Sequence, residues 1–386
     1  MAQKVLFTAS TYSHLKSFHL PYLRWFHAQG WEVHVACAGV PAAPPDFISR
    51  AVELPFCKRL SAPENFRAAA LLRRCVQEEG YALITTHTTL AAFFTRLALK
   101  GLRRRPKLVD MVHGYLFDDR TAPARRALLL GAERLTARET DLLLTMNAWD
   151  ARVAARYRLG RRLGRVPGVG VDFRRLDAAS AEDGAALRRE YALAPDAFLV
   201  VYAAEFSPRK SQRVLLEALA RLPERVVLAL PGTGALQEAC ALLAERLEVR
   251  HRVIFPGQAE DMPRWYRAAD AAATASRSEG LPFNVMEAMY CGLPVVASAV
   301  KGHTDLIDDG VSGLLYPYGD AAACAEALLR LLSDAPLRDA LRETGRRRVQ
   351  PFGREAVFPV VTDLYLSVLD RRPSAAQQTA GALAGV

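Results

Sequence analysis

Short apolar runs alternate with helical patterns along this chain, and this alternation constrains the fold more than any other feature. The helical patterns of the first half include residues 66–79 and 89–100. Five apolar runs between such patterns have the length and the aliphatic content of buried strands: residues 5–8, 33–36, 83–86, 108–112 and 142–145. Strands that alternate with helices predict a parallel sheet covered by helices on both faces.

The alternation starts again in the second half, with helical patterns such as residues 211–222 and 235–247. Six strand-like runs belong to this second set: residues 198–203, 226–230, 253–255, 271–274, 295–297 and 313–315. Pro167, Gly168 and Gly170 lie where the two sets separate, which indicates a domain boundary. We therefore predict an α/β protein of two Rossmann-like, doubly wound domains facing a central cleft. Ligands in such sheets bind beyond the carboxyl ends of the strands.

The chain of 386 residues suits two domains of ordinary size. We place the first at residues 1–172 and the second at residues 173–350. A helical segment at residues 351–370 follows, and Pro359 within it predicts a kink or a break. The tail at residues 371–386 is rich in Ala, Ser, Gln and Gly, and we expect it to be disordered.

Several classes of protein are disfavoured by composition. No apolar run reaches the roughly 18–20 residues that a membrane-spanning helix needs, and residues 1–8 lack a signal-peptide cleavage pattern. The six cysteines are scattered, without a Cys-x-x-Cys pair, so neither a zinc site nor a disulfide framework is indicated. These features predict a cytoplasmic location.

Positive charge is concentrated in the first domain. Residues 1–172 contain 26 Lys and Arg against 14 Asp and Glu, whereas the remainder contains 25 against 27. One interpretation is a solvated basic surface; the other is an anionic membrane surface or a phosphate-bearing acceptor. We expect no nucleic-acid partner, because no recognised nucleic-acid-binding motif is present.

The segment at residues 276–297 carries the clearest chemical signal. Its two carboxylates, Glu279 and Glu287, lie eight positions apart. A Gly-Leu-Pro turn between them opens a helix, and the amides at that helix start can hold a phosphate. Glu287, one turn inside, could accept both hydroxyls of a ribose, while Glu279 lies close to the group attached to the phosphate. The predicted phosphate-binding residues are Gly280, Leu281, Pro282, Phe283 and Asn284. The alternative is an amphipathic helix with one capping acid and one surface acid.

Two further motifs fit a nucleotide site. Arg209 and Lys210 follow a predicted strand and precede a predicted helix, where two cations can neutralise a diphosphate. The alternative is a pair of solvated charges, although cations are unfavourable at the start of a helix. Gly232 and Gly234 flank Thr233 after the next strand; a tight strand-to-helix turn is the default interpretation of such a weak motif.

The spacing of these residues resembles that of the retaining GT-B glycosyltransferases of family 4. The family motif is Glu, seven residues, Glu, then Ala-Met-x-x-Gly-x-Pro-Val-Val, which this chain matches from Glu279 to Val296. The resemblance implies that Glu279 contacts the donor sugar and that Glu287 holds the ribose of a UDP- or GDP-linked donor. It implies no cofactor, no essential metal, and a base facing the backbone near Pro256 and Gly257.

The family also implies that the last helix crosses back to the first domain. Two small departures occur: Lys210-Ser211 replaces the usual Lys-Gly, and Ala235 replaces a usual Pro.

The first domain is expected to bind the acceptor. Its loop after the first strand has Ser10, Thr11 and His14 where many members have a Gly-Gly loop, and this resembles a bacterial exopolysaccharide and capsule branch. His113 matches the histidine that the family places beside the reacting sugar. A further strand-end candidate is His87, and His303 could line the cleft near the donor. The alternative for His113 and His87 is a hydrogen-bonded loop residue.

We therefore expect a cytoplasmic glycosyltransferase that acts with retention in cell-surface polysaccharide biosynthesis. A UDP-sugar is the favoured donor, and a glycan or a lipid-diphosphate-linked glycan is the expected acceptor. The basic domain could hold the enzyme peripherally on the inner face of the cell membrane. Two alternatives remain: a UDP-sugar 2-epimerase of the same fold, which would need no acceptor, and a non-catalytic, membrane-associated sugar-binding protein.

Overall fold

A computed structural model describes residues 2–369, which form two compact units. The first unit comprises the described residues up to Val169 and from Val357 onward, and the second comprises Gly170–Ala356. The boundary thus falls at residue 169 rather than at the predicted residue 172. The tail for which disorder was predicted, residues 371–386, lies outside the described residues.

The first unit contains a seven-stranded sheet with the order β3-β2-β1-β4-β5-β6-β7, in which every neighbouring pair is parallel. Its strands are β1 (Lys4–Thr11), β2 (Glu32–Ala38), β3 (Arg50–Glu53), β4 (Leu83–His87), β5 (Lys107–Val112), β6 (Leu142–Thr145) and β7 (Arg162–Arg165). The central strands are almost completely buried, as expected for a parallel sheet that is covered on both faces.

The helices of this unit begin and end at recognisable signals. They are α1 (Tyr12–Phe18), α2 (Leu20–Ala28), α3 (Pro63–Glu79), α4 (Thr89–Leu99), α5 (Pro123–Thr136) and α6 (Ala148–Tyr157). Helix α3 starts at a proline and is closed by Gly80 in the left-handed conformation, the residue types preferred at those two positions. Helix α6 is capped by Asn147, whose side chain accepts from the amide of Asp150.

The two edge strands of this sheet, β3 and β7, were not predicted from the sequence. Both are four residues long and begin and end with charged side chains. Short, charged edge strands protect a sheet from pairing with other chains. The same composition removes the apolar signal by which the inner strands were recognised.

The second unit repeats this architecture with a six-stranded parallel sheet of order β10-β9-β8-β11-β12-β13. Its strands are β8 (Phe198–Val201), β9 (Val226–Ala229), β10 (Val253–Ile254), β11 (Ala271–Thr274), β12 (Val295–Ser298) and β13 (Leu314–Tyr316). Its helices are α7 (Ala181–Glu190), α8 (Gln212–Leu219), α9 (Gln237–Arg246), α10 (Met262–Ala268), α11 (Phe283–Tyr290), α12 (His303–Leu306), α13 (Ala321–Ser333) and α14 (Ala335–Val349).

The final helix, α15 (Arg354–Leu366), begins in the second unit and continues in the first. It continues through Pro359, so of the predicted kink or break the break is wrong and the kink stays a prediction. Packing within the first unit explains why the helix is retained: Phe358 stacks on Tyr22 at 4.8 Å, and Tyr365 is fully buried. Such burial can outweigh the roughly 3 kcal/mol that a proline costs inside a helix. Within residues 2–369, no helix combines the length and the apolarity needed to cross a membrane.

Strand order fixes where each sheet can bind a ligand. In the first sheet, successive strands are added outward from β1 on one side and from β4 on the other. In the second sheet they are added outward from β8 on one side and from β11 on the other. The loops that leave the carboxyl ends of such a strand pair diverge and leave a crevice. The candidate site residues are therefore expected in the loops after β1, β4, β8 and β11.

A buried ionic cluster anchors helices α4 and α5 to the first sheet. The guanidinium of Arg96 lies 2.6 Å from the carboxylate of Glu133 and 3.3 Å from that of Asp110, and all three side chains are buried. Burial raises the pKa of Asp110 to about 7 against the opposing charge of Arg96. Removing the single cation would leave two carboxylates in the core without a counter-charge.

We therefore expect Arg96→Met to lower the free energy of unfolding of the first unit by about 3–5 kcal/mol. Urea denaturation followed by tryptophan fluorescence would report it, since Trp25, Trp31 and Trp149 lie in that unit. Arg67→Met, at an exposed position of α3, is the matched control and should change stability by no more than about 0.5 kcal/mol. Equal effects of the two substitutions would contradict this role for Arg96.

Candidate active site

Glu279 lies in the loop after β11 and is held by two cations from the loop after β8. Its side chain is only 7% exposed. Lys210 Nζ lies 2.6 Å from one carboxylate oxygen, and Arg209 Nη1 lies 2.7 Å from the other. The three residues that the sequence analysis assigned to the sugar and the diphosphate are thus in direct contact.

The two loops are tied to each other by further hydrogen bonds. The amide of Arg277 donates to the carbonyl of Arg209 at 2.7 Å. The buried hydroxyl of Tyr202 lies 3.0 Å from the carbonyl of Lys210 and 2.9 Å from the hydroxyl of Ser276. These contacts hold the cations and the carboxylate in one geometry, and the sequence analysis had assigned no role to Tyr202 or Ser276.

A third loop closes over Glu279 from the carboxyl end of β12. The amide of Glu279 donates to the carbonyl of Lys301, and Gly302 follows with a φ of +85°. A Cβ atom at residue 302 would lie 2.9 Å from the Cβ of Glu279, so the close approach requires glycine. The next residue, His303, is fully buried, and its Nδ1 lies 2.7 Å from the carbonyl of Ser298.

His303 has no exposed surface in the described structure, and its predicted place in the lining of a ligand cleft stays a prediction. Burial lowers the pKa of His303 to about 4, so the imidazole is neutral near pH 7.

Opposing effects determine the ionisation of Glu279. Burial alone would raise the pKa of its carboxyl, but the charges of Lys210 and Arg209 outweigh it and lower the pKa to about 2. Glu279 is therefore ionised at neutral pH. An ionised carboxylate accepts hydrogen bonds and donates none, so this residue can orient hydroxyl groups but cannot act as a general acid.

Glu287 lies one turn inside α11 and is also buried. It contacts the guanidinium of Arg175 and accepts a hydrogen bond of 3.0 Å from the hydroxyl of Tyr266. Burial raises the pKa of Glu287, and Arg175 and Tyr266 act against that rise. Arg175 and Tyr266 escaped the sequence analysis, because they lie 112 and 21 residues away from Glu287 in the chain.

Helix α11 begins at Phe283, with Pro282 as its N-cap, so Pro282 precedes the first helical turn rather than lying within it. The side-chain amide of Asn284 donates to the carbonyl of Ala203 at 3.1 Å. This bond fixes the helix start beside the end of β8. The turn that precedes it contains Gly280 and the buried Leu281.

A cavity of about 310 Å³ opens at the carboxyl ends of β8, β9 and β10. It is lined by Ala203, Ala204, Glu205, Pro231, Gly232, Thr233, Gln258, Ala259 and Met262. Pro256 and Gly257 come directly before Gln258 in the chain. The carbonyl of Gly257 accepts a hydrogen bond of 2.7 Å from the amide of Gly232. The volume lies at the lower end of the roughly 300–1,000 Å³ typical of ligand pockets.

The Gly-Thr-Gly motif is required by close backbone approach. A Cβ atom at residue 232 would lie 2.1 Å from the carbonyl oxygen of Ala204, and one at residue 234 would lie 2.4 Å from that of Phe206. Both glycines also have positive φ. The loop after β9 can therefore lie against the loop after β8 only with glycine at these two positions.

Ser211 stands where the family motif has glycine, and its backbone shows why glycine is usual there. It adopts a left-handed conformation with a φ of +51° at the start of α8. Glycine adopts this conformation without the penalty that a side chain incurs, which accounts for the usual Lys-Gly. Here the hydroxyl of Ser211 donates to the carbonyl of Pro208 and lies 3.1 Å from the hydroxyl of Tyr318.

The first unit gathers four histidines at the carboxyl ends of its central strands. His19 lies at their centre: its Nε2 is 3.1 Å from Nε2 of His113, and its ring stacks on His87 with centroids 3.6 Å apart. The ring of His14 meets that of His113 edge-on at 4.5 Å. The sequence analysis named the other three but missed His19, whose position after the predicted first strand was its only signal.

The polar residues around this cluster occupy the switch point of the first sheet. The hydroxyl of Ser10 lies 2.6 Å from that of Thr88, and the hydroxyl of Thr11 lies 2.9 Å from that of Ser13. Thr88 has a φ of +72°, which is a rare conformation for a β-branched residue. Burial lowers the pKa of each histidine in the cluster, that of His14 to about 4, so all four rings are neutral near pH 7.

The ion pairs of Glu279 should make the stability of the protein depend on pH. The pKa of Glu279 is about 2 in the folded protein and 4.5 in the unfolded chain. The stabilisation that its ion pairs give the folded protein is therefore complete above pH 4.5 and is lost as the pH falls towards 2. We expect the difference in free energy of unfolding between wild type and Glu279→Gln to shrink by about 2 kcal/mol between pH 5 and pH 3. The comparison uses urea denaturation at each pH. Glu326→Gln, at an exposed position of α13, is the control; a parallel pH course for the two variants would contradict the account.

Two family models match consecutive parts of the chain. Glycosyltransferase Family 4 matches residues 22–175, and Glycosyl transferases group 1 matches residues 184–348. The protein named "Putative glycosyltransferase EpsD" of Bacillus subtilis (strain 168) is 32% identical over 376 residues, which cover 96% of this chain and 98% of that protein. A D-inositol 3-phosphate glycosyltransferase of Xylanimonas cellulosilytica is 31% identical over 328 residues, covering 80% of this chain and 78% of its own.

Among solved structures, HepE of Anabaena in complex with UDP has a TM-score of 0.70 and 20% identity, with both chains covered completely. Its complex with UDP-glucose has a TM-score of 0.71 and 21% identity over 99% of this chain and all of the other. Identities this low show a shared fold. The two family models and the relative that is 32% identical over nearly the whole chain show the family. This chain therefore belongs to the family 4 glycosyltransferases of GT-B fold.

Proposed function

We propose that this glycosyltransferase transfers a sugar from a UDP-sugar to a glycan or lipid-linked glycan acceptor, with retention, during the synthesis of an exopolysaccharide or another cell-surface polysaccharide. The observation that carries the proposal is the buried Glu279 held by Arg209 and Lys210 at the switch point of the second sheet. The features of this site match the charges and the polar groups of a nucleotide-sugar: it combines two cations, an ionised acid, a helix start and a cavity.

The cations supply the charge that a leaving diphosphate requires. Arg209 and Lys210 bind Glu279 in the absence of donor, and a bound diphosphate would compete for the same two cations. As the bond to the sugar breaks, negative charge grows on the phosphate oxygen, and fixed cations in a partly buried site stabilise that charge. This arrangement needs no metal ion, and we propose that the enzyme uses none.

Glu279 would accept hydrogen bonds from the hydroxyls of the sugar. Its negative charge also favours the positive charge that develops on the sugar ring in the transition state. In the proposed retaining reaction the leaving phosphate oxygen takes the proton of the acceptor hydroxyl on the face from which it departs. The first unit is proposed to bind the acceptor, with His113 contacting the reacting sugar as the family resemblance implies and with Ser10, Thr11, His14 and His87 close to it.

The nucleoside is proposed to occupy the cavity at the ends of β8, β9 and β10. Glu287 would exchange its contact with Arg175 for the two hydroxyls of the ribose. The cocrystallised UDP and UDP-glucose of the HepE structures support uridine over guanosine for a protein of this fold. The glycosyltransferase names of the relatives favour transfer over the 2-epimerase and the non-catalytic alternatives.

Calorimetric titration with UDP, 2′-deoxy-UDP and GDP tests the nucleotide site. We expect wild type to prefer UDP, and Glu287→Gln to weaken UDP binding about 10- to 100-fold, because hydrogen bonds to a charged group contribute roughly 1.5–3 kcal/mol. Since the substitution removes the ribose contact, the preference for UDP over 2′-deoxy-UDP should disappear with it.

Glu326→Gln serves as the matched control and should bind UDP as wild type does. An unchanged ribose preference in Glu287→Gln would contradict the role of Glu287, and tighter binding of GDP would contradict the uridine assignment. Release of free UDP from a UDP-sugar that depends on added acceptor would separate transfer from epimerisation.

We also propose that the first unit docks on the inner, anionic surface of the cell membrane through α5. Leu128 and Leu135, seven residues apart, are 73% and 60% exposed and lie on one stripe of the helix. The exposed Arg125 and Arg134 lie at helical positions on either side of that stripe. Arginines flanking exposed leucines are typical of helices that lie in a membrane interface, and each basic side chain near an anionic surface contributes about 1 kcal/mol.

Flotation with anionic and neutral vesicles tests this surface. We expect wild type to float with the anionic vesicles at low salt and to lose that binding at high salt, because mobile ions screen the attraction. Leu128→Ser with Leu135→Ser should reduce flotation at least severalfold. Leu242→Ser, at an exposed position of α9, is the control. Flotation indifferent to lipid charge, or unchanged in the double variant, would contradict the proposal.

A further inference from the structure

We propose that His14, His19 and His113 form a binding site for a divalent transition-metal ion such as Zn²⁺, and that an ion bound there inhibits the enzyme. The three rings each offer one nitrogen, and these nitrogens lie within 4.8 Å of one another. All three residues belong to the first unit. The proposed transfer reaction uses no metal, so a metal site in the first unit would regulate the enzyme.

The separation of the ring nitrogens fits a single ion. Two imidazoles on a tetrahedral Zn²⁺, with bonds of roughly 2.0–2.1 Å, place their nitrogens about 3.3–3.4 Å apart. Nε2 of His19 and Nε2 of His113 are 3.1 Å apart, so these two rings already have nearly that spacing. The third ring, His14, packs edge-on against His113 at 4.5 Å between centroids, and the ligand nitrogens of all three rings lie within 4.8 Å of one another.

The protonation state also suits a metal ion. Zn²⁺ binds imidazole only through an unprotonated nitrogen. Burial lowers the pKa of all three rings, and neighbouring histidines lower the pKa of His19 and of His113 further, so the rings are neutral near pH 7. Borderline ions such as Zn²⁺ and Co²⁺ bind such nitrogen ligands well. Mg²⁺ and Ca²⁺ prefer oxygen ligands and are not expected here.

Hydrogen bonds within the described residues do not satisfy this cluster. A bond between His19 and His113 uses one nitrogen of each ring. Nε2 of His14, Nδ1 of His19 and Nδ1 of His87 remain buried and without a hydrogen-bond partner in the described structure. Buried polar atoms almost always have a partner, and an ion in the proposed site would be such a partner for Nε2 of His14.

The surroundings keep the rings in place. His87 stacks on His19 at 3.6 Å and in turn hydrogen-bonds to Thr85 at 2.5 Å. Rings held in this way lose little freedom when an ion binds, which favours affinity.

A second group with metal-ligand spacing, Glu32, His34 and Glu79, is a weaker candidate. Its carboxylates are already paired with Lys4, and Glu79 also contacts Arg50. Both ring nitrogens of His34 are hydrogen-bonded, to Tyr81 and to Glu32. An ion would have to displace all of these partners, whereas between His19 and His113 it would replace a single hydrogen bond.

Inhibition follows from the position of His113 and rests on the proposed function. If His113 contacts the reacting sugar, a ring nitrogen that is bound to a metal cannot also make that contact. Zn²⁺ should then suppress transfer without displacing UDP, since the nucleotide is proposed to bind the second unit.

Titration of tag-free, chelator-treated protein with CoCl₂ and ZnCl₂ tests the site. Co²⁺ reports its ligands by visible absorption, and thermal denaturation with ZnCl₂ reports binding independently of activity. We expect one equivalent to bind to wild type, and His14→Asn and His19→Asn each to weaken binding by at least about tenfold. His14 is only partly buried, so its variant tests the site even if His19→Asn does not fold. His27→Asn, on the exposed surface of α2, should bind as wild type does.

Absence of a saturable single site, or equal binding by wild type and His14→Asn, would overturn the metal site. With each protein measured against its own metal-free rate, half-inhibition of acceptor-dependent UDP release at a ZnCl₂ concentration at least about tenfold higher in His14→Asn than in wild type would support the regulatory role. Metal binding that leaves transfer unaffected would overturn that role. Metal binding by a protein that transfers no sugar would instead contradict the proposed function and leave the metal site standing.

Discussion

The contact between Glu279 and the cations of Arg209 and Lys210 is the interaction on which the second unit's site depends. It joins the loops that leave β8 and β11, the two strands from which the sheet order diverges. A buried carboxylate alone would be protonated or strongly destabilising. With two cations beside it, the carboxylate is ionised, and the same cations are available to a diphosphate. The charges that stabilise the ligand-free loop are thus those that a donor would use.

The two units apply the same topology to different chemistry. In each, the polar residues lie at the carboxyl ends of the two strands where the sheet order reverses. The second unit places charged groups there, together with glycines such as Gly232 and Gly302 that let neighbouring loops approach closely. The first unit places neutral imidazoles around His19 at the corresponding position. Charge at one switch point and neutral nitrogens at the other suit an anionic donor and a separate ligand.

The sequence predicted the inner strands of both sheets and the motif from Glu279 to Val296, because aliphatic runs and fixed local spacings carry those signals. It did not predict edge strands β3 and β7, whose charged ends resemble loops. Tertiary packing overrode the helix-breaking tendency of Pro359. Tyr266 and Arg175 could not be assigned to Glu287 from the sequence, since only the fold brings them together. The burial of His303 could not be predicted for the same reason: a loop histidine has the same sequence signal whether it is exposed or packed.

The central claim is that Glu279, Arg209 and Lys210 form the donor site and exchange partners when the donor binds. A crystal structure of the full chain with an unhydrolysed UDP-sugar tests it most directly. The account predicts the diphosphate within hydrogen-bond distance of Lys210 Nζ and the guanidinium of Arg209, with sugar hydroxyls donating to Glu279. A donor bound elsewhere, with both cations still paired to Glu279 as in the ligand-free protein, would contradict it.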